Sequence, residues 1–101
     1  MVLKKEYNPK IFIPNRYNNY YSIFTPDNGM VNYPSTFYLA KVLRISEVEV
    51  RKILLEEFNG VKDGLGDIEF ETLRDCEAAC AWLNDVLVMV NLIENSPENN
   101  L

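Results

Sequence analysis

Four carboxylates, Asp63, Asp67, Glu69 and Glu71, crowd one short stretch of this chain. Paired carboxylates can hold a metal ion or move protons in general acid–base work. Residues 67–71 alternate polar and apolar, which predicts a half-buried strand with Glu69 and Glu71 on its solvent face. Carboxylates so placed need no catalytic explanation. The chain contains no histidine, so the commonest general base and triad member is missing. Cys76 and Cys80 are its two cysteines, and their spacing puts them one helical turn apart. A disulfide there would staple nothing distant, and a metal would lack further Cys or His ligands, so both read as small core residues. No phosphate loop, cofactor fingerprint or nucleophile–base pair is present. The expectation is a non-enzyme without metal or cofactor.

Charge is unevenly distributed. Residues 1–55 hold eight basic against four acidic side chains, a balance of +4, whereas residues 56–101 hold two against eleven, a balance of −9. A basic half joined to an acidic half suggests two surfaces with different tasks. At 101 residues and 48% hydrophobic content the chain reads as one globular domain over residues 1–94, with a polar tail over 95–101. The longest nearly unbroken apolar run, Val86 to Val90, falls short of the ~20 residues a bilayer crossing requires, and no signal-peptide core follows Lys4 and Lys5. These features predict a cytoplasmic protein without a membrane segment.

The elements that position these residues follow from local patterns. Ile11-Phe12-Ile13 is β-prone and stops at Pro14, and Asn15 to Asn19 reads as a polar connection. Tyr20 to Thr25 is aromatic and β-branched, Pro26-Asp27-Asn28-Gly29 is a strong turn, and Met30 to Tyr33 can return, which predicts a β-hairpin over 20–33. Ser35 is then a candidate N-cap for a helix carrying Phe37, Leu39, Ala40 and Leu43 and ending near Arg44. Ser46 and Glu49 have the spacing of a capping box and open a second helix with Val50, Ile53, Leu54 and Phe58, stopped by Asn59-Gly60. Residues 61–66 read as a loop. Thr72 with Asp75 marks the start of the longest helix, Leu73 to Ile93. That helix bears two apolar stripes, Leu73, Cys76, Cys80, Leu83, Leu87, Val90 and Ala79, Trp82, Val86, Met89, Ile93, which together cover most of its C-terminal circumference. A small monomer has little with which to cover it, so a homodimer through Trp82, Val86, Leu87, Met89, Val90 and Ile93 is expected. The fold class is α+β: hairpin, two short helices, a short wing-like strand and a long C-terminal helix.

The two short helices carry a pattern. Residues 39–54 read L-A-K-x-L-x-I-S-x-x-x-V-x-K-I-L, with Ala40 as the small residue at the helix crossing, Ile45 in the turn and Ser46 capping the second helix. This resembles the helix-turn-helix of bacterial and phage DNA-binding proteins. The departure is Arg44, where that family usually has glycine in the turn. A looser similarity, which takes in the preceding strand–turn–strand, is to the small modular DNA-binding repeats attached to homing nucleases. The strand over 67–71 would serve as the wing of a winged helix. The resemblance implies a transcriptional regulator or DNA-binding module whose second helix enters the major groove of double-stranded DNA with Ser46, Glu47, Val48, Arg51 and Lys52 toward the bases. Arg51 would pair with guanine and Glu47 with cytosine, while Lys41, Arg44, Arg16 and Lys62 would touch phosphates. Charge points another way: Glu47, Glu49, Glu56 and Glu57 outnumber Arg51 and Lys52 on that helix. The alternative is an acidic protein-interaction or inhibitor module that uses the helix pair as a scaffold and Tyr7, Tyr17, Tyr20, Tyr21, Tyr33 and Tyr38 with their asparagine neighbours as contact surface.

Overall fold

The computed structural model describes residues 11–26, 33–63 and 67–94. The elements run β1 (Ile13–Tyr17), β2 (Tyr20–Phe24), α1 (Thr36–Leu43), α2 (Glu47–Glu56), β3 (Val61–Lys62), β4 (Ile68–Glu69) and α3 (Leu73–Glu94). This is the expected α+β order. The N-terminal hairpin, however, lies one strand earlier than 20–33. β1 pairs antiparallel with β2 in a register that sets Ile13 opposite Phe24 and Tyr17 opposite Tyr20, leaving Asn18-Asn19 as a two-residue loop. Asn18 takes the positive φ of 59° that such a loop needs at its first position, and asparagine tolerates it. Pro14 does not stop the strand, because β1 is an edge and a missing N–H there costs no ladder bond. The Asp27-Asn28-Gly29 turn and residues 30–32 of the expected return strand lie outside the described residues, as does the tail 95–101.

β4 meets β2 through one antiparallel bridge, in which Tyr21 and Phe70 exchange both backbone hydrogen bonds at 2.7 and 2.8 Å. Among the described residues there are thus two two-stranded sheets, β1-β2 and β3-β4, linked by this single bridge, with β3 and β4 pairing antiparallel after α2. Val61 and Lys62, expected in a loop, form β3. Gly60 makes this approach possible: a Cβ there would stand 2.5 Å from Ile68 Cγ2 and 2.9 Å from the Leu54 carbonyl oxygen.

α3 is the scaffold. Its first two-thirds bury Cys76, Ala79, Cys80, Leu83 and Asn84, and both strands of the first hairpin and α1 pack along it. The core joins these residues to Phe12, Ile23, Leu39, Leu43, Val50, Leu54, Ile68 and Phe70. The helix begins where expected, with the Thr72 hydroxyl accepting from the Asp75 amide at 3.1 Å. Asn84 is the one polar side chain of α3 buried in this core. Its amide group accepts from the Phe12 N–H and donates to the Phe12 carbonyl, each at 2.9 Å, and so straps residues 11–13 to the helix. Contrary to the expectation that no stretch could span a bilayer, α3 is long and apolar enough by composition: its 22 residues, about 33 Å, include an 18-residue window of mean hydropathy 1.4. The expectation failed because it counted unbroken runs, whereas the few polar residues here are scattered along a helix whose buried part is the core.

Candidate functional site

The helix pair closes as its caps direct. Ser35 Oγ accepts from the Tyr38 amide at 3.1 Å and Ser46 Oγ from the Glu49 amide at 3.2 Å, which fixes the start of each helix. Between them Arg44 stands in the left-handed region at φ 60°, ψ 37°, and the Ile45 amide reaches back to the Ala40 carbonyl at 3.2 Å. Arginine therefore occupies the conformation for which the turn would favour glycine. Ala40 is buried at the crossing, and α2 folds back on α1 through Val50 and Leu54, with Ile53 only half-buried. The solvent face of α2 then presents Val48, which is 76% exposed, with Glu49, Lys52 and Glu56 beside it.

The cations expected to meet phosphates or bases are differently disposed. Arg44 is engaged with the far end of α3: its Nε lies 2.6 Å and its Nη2 3.2 Å from the two carboxylate oxygens of Glu94, while Nη1 donates to the Lys41 carbonyl at 2.7 Å. Glu47 is half-buried. It accepts from the Thr36 hydroxyl at 2.7 Å, and Arg51 Nε stands 3.5 Å from the same oxygen, an i,i+4 pair. Thr36 is itself buried at the start of α1, so Glu47 locks the N-terminal ends of the two helices together. Lys41, Lys52 and Lys62 are exposed, and among the described residues none has a carboxylate within salt-bridge distance. Arg16 is exposed near the tip of the first hairpin, with its guanidinium 5.7 Å from the centre of the Tyr21 ring. Ser46 is exposed and committed to its cap.

The crowded carboxylates divide. Glu71 is exposed, but Asp63, Asp67 and Glu69 line one cleft of about 240 Å³ between β2, the start of α1, α2 and the β3–β4 connection. Glu69 and Glu71 alternate with the buried Ile68 and Phe70 as expected, Glu71 exposed and Glu69 half-buried at the cleft. Burial first, and then the Asp63 charge, push the Glu69 carboxyl above the usual carboxylate range. Asp63 also accepts from the Asp67 amide at 2.9 Å. Tyr17 and Tyr33 stand at the cleft, their ring centroids 5.8 Å apart. Sequence reasoning named these residues for two separate tasks and missed their convergence; the signal available was the flanking of one chain loop by Asp63 and Asp67. The cysteines are free and buried, and the hydrogen bond with Cys76, followed by burial, holds the Cys80 thiol protonated far above the ordinary thiol range. Such a thiol is a packing group rather than a nucleophile.

The apolar face of α3 is also divided. Trp82, Val86 and Leu87 pack against the chain's own core, Trp82 with its ring 5.9 Å from that of Phe58. Val90 is half-buried, and Met89, Leu92 and Ile93 are 60%, 50% and 57% exposed. Of the face expected to dimerise, the described residues therefore leave only the last two turns of α3 uncovered. No protein-family model, curated protein or solved structure matches the chain.

Proposed function

We propose that this chain is a small DNA-binding protein of helix-turn-helix type, a regulator or targeting module in which α2 is the recognition helix and the β3–β4 hairpin the wing. One observation carries the reading: two capped helices joined through a left-handed residue are followed directly by a hairpin that pairs back onto β2, while the N-terminal face of α2 stays open to solvent. Val48 on that face suits a thymine methyl, Arg51 and Lys52 suit base edges, and Lys41, Lys62 and Arg16 suit phosphates. Arg51 can exchange its long i,i+4 contact with Glu47 for a base, since such helix-surface pairs contribute only about 0.3–0.5 kcal/mol. The protein works as a homodimer through Met89, Leu92 and Ile93, and the two buried, unpaired thiols fit a reducing cytoplasm.

The test is binding to generic duplex DNA across a salt series. Each lost phosphate contact lowers the slope of log K against log salt by about 0.9. The Lys41→Ala/Lys62→Ala variant is expected to bind more weakly, with its slope reduced by up to about 2. Absence of binding at low salt would reject the reading.

A second reading rests on a different observation. Arg44 is held by Glu94, and α2 with the β3–β4 hairpin carries more carboxylates than cations. An acidic surface with Phe37 and Val48 exposed suits a basic protein partner, for which the helix pair is a scaffold. Failure to bind DNA, together with salt-sensitive capture of a basic partner, would establish it.

A further inference from the structure

We infer that the cleft between the first hairpin and the β3–β4 connection is a binding site for a small organic cation, an ammonium group on a short aliphatic stem. The inference is independent of DNA binding. The cleft has two chemically distinct parts. Its floor is apolar, formed by Ile23, Leu39, Leu54 and Ile68, all buried. Its wall carries Asp63, Asp67 and Glu69 on the β3–β4 side and the rings of Tyr17 and Tyr33 on the other. The carboxylates of Asp67 and Glu69 have no cationic side chain within salt-bridge distance among the described residues. Charge of one sign gathered along an apolar-walled cleft concentrates counter-ions there. A ligand that supplies a positive charge to the carboxylates and apolar atoms to the floor complements both parts.

Three further points narrow the ligand. First, size: the cleft of about 240 Å³ exceeds the roughly 150 Å³ of a cavity that holds benzene, so it has room for a short alkylamine. Second, the donor set argues against a bare metal ion, since among the described residues no three carboxylates stand close enough to coordinate one. Third, the lining tyrosine rings favour a cation with C–H or N–H bonds over a strongly hydrated one, because a ring attracts a cation only when they come into contact.

The same ammonium chemistry is offered by a free amine and by a lysine side chain, and the test separates the two. Amide chemical shifts of the ¹⁵N-labelled protein are followed on titration with n-butylammonium, with n-butanol as a neutral isostere, with Ca²⁺, and with Nα-acetyl-lysine-N-methylamide. The inference requires saturable shifts at Ser22, Ile23, Thr36 and Ile68 with butylammonium and at least about tenfold weaker binding of butanol, the factor that 1.4 kcal/mol represents. Glu69→Gln and Asp67→Asn should each weaken butylammonium binding by roughly fivefold, the upper end of what one part-exposed charge contributes. Tighter binding of the blocked lysine assigns the site to a protein's lysine, and equal or weaker binding assigns it to a free amine. Equal binding of butanol, unchanged affinity in both variants, or Ca²⁺ binding more tightly than the amine would each overturn the inference.

Discussion

Arg44→Gly should leave the fold intact and be more stable than Arg44→Ala, although alanine is ordinarily the better residue near a helix. The magnitude follows from two features of this residue. Arg44 sits at φ 60°, and a left-handed conformation costs a residue with a Cβ about 1–2 kcal/mol. Glycine relieves that cost but gives back about 0.4–1 kcal/mol through the greater freedom of its unfolded chain. Alanine keeps the strain. Both variants lose the contact with Glu94, whose partners are 58% and 43% exposed in their side chains, so this loss is common to both and amounts to about 0–1 kcal/mol. The difference between them is therefore about 0–1.6 kcal/mol, centred near about 0.8, in favour of glycine, or several degrees in melting temperature at about 4–8 °C per kcal/mol. Circular-dichroism melts of Arg44→Gly, Arg44→Ala, Glu94→Gln and Arg44→Ala/Glu94→Gln measure the strain and, by double-mutant cycle, the ion pair separately. An Arg44→Gly protein no more stable than Arg44→Ala would refute the left-handed turn, and with it the argument that this position departs from glycine at a cost.

Other outcomes follow from the same geometry. Asn84→Ala leaves the buried Phe12 N–H and carbonyl without partners, and urea unfolding should show a loss of about 2–5 kcal/mol; a loss under 1 kcal/mol would mean water replaces the side chain. Glu69, with its pKa raised by burial and by Asp63, binds its proton more tightly folded than unfolded, so its stabilising contribution is complete below the unfolded pKa and lost as pH rises through the folded one. Glu69→Gln should accordingly be more stable than the parent near about pH 7 and lose that advantage near about pH 3; a pH-independent difference would contradict this sign. Met89→Glu/Ile93→Glu should sediment as a monomer with an unchanged melt at low concentration, whereas Leu87→Glu should also unfold the chain, because Leu87 packs on the core; a dimer persisting in the first variant would remove the proposed interface.

The parts legible in the sequence were those encoded locally. Ser35, Ser46 and Thr72 each cap a helix through a bond spanning three residues, and the apolar spacing of Leu39 to Leu43 and of Cys76 to Leu83 marks the buried faces. The first hairpin was misplaced because the Asp27-Asn28-Gly29 signal outweighs Asn18-Asn19 by propensity, while Pro14 reads as a breaker unless its strand is known to be an edge. β3 has two residues and owes its existence to the Gly60 approach and to the β2–β4 bridge, neither of which has a local signature. The same holds for the site. The Arg44–Glu94 pair spans fifty residues and the cleft draws on five elements, so charge counting along the chain could register the acidic half but not the pocket into which part of it folds.

The Asn84 strap also sets a timetable for synthesis. Phe12 finds its hydrogen-bond partner 72 residues later in the chain, and α1 and both strands of the first hairpin rest on a helix that is translated last among the described elements. At about 5–20 residues per second, roughly 4–15 s separate the appearance of Phe12 from that of Asn84. Throughout that interval Phe12 and Ile23 lack the α3 surface on which they close, although α1 can already pack on α2. The core is therefore completed only as α3 clears the exit tunnel.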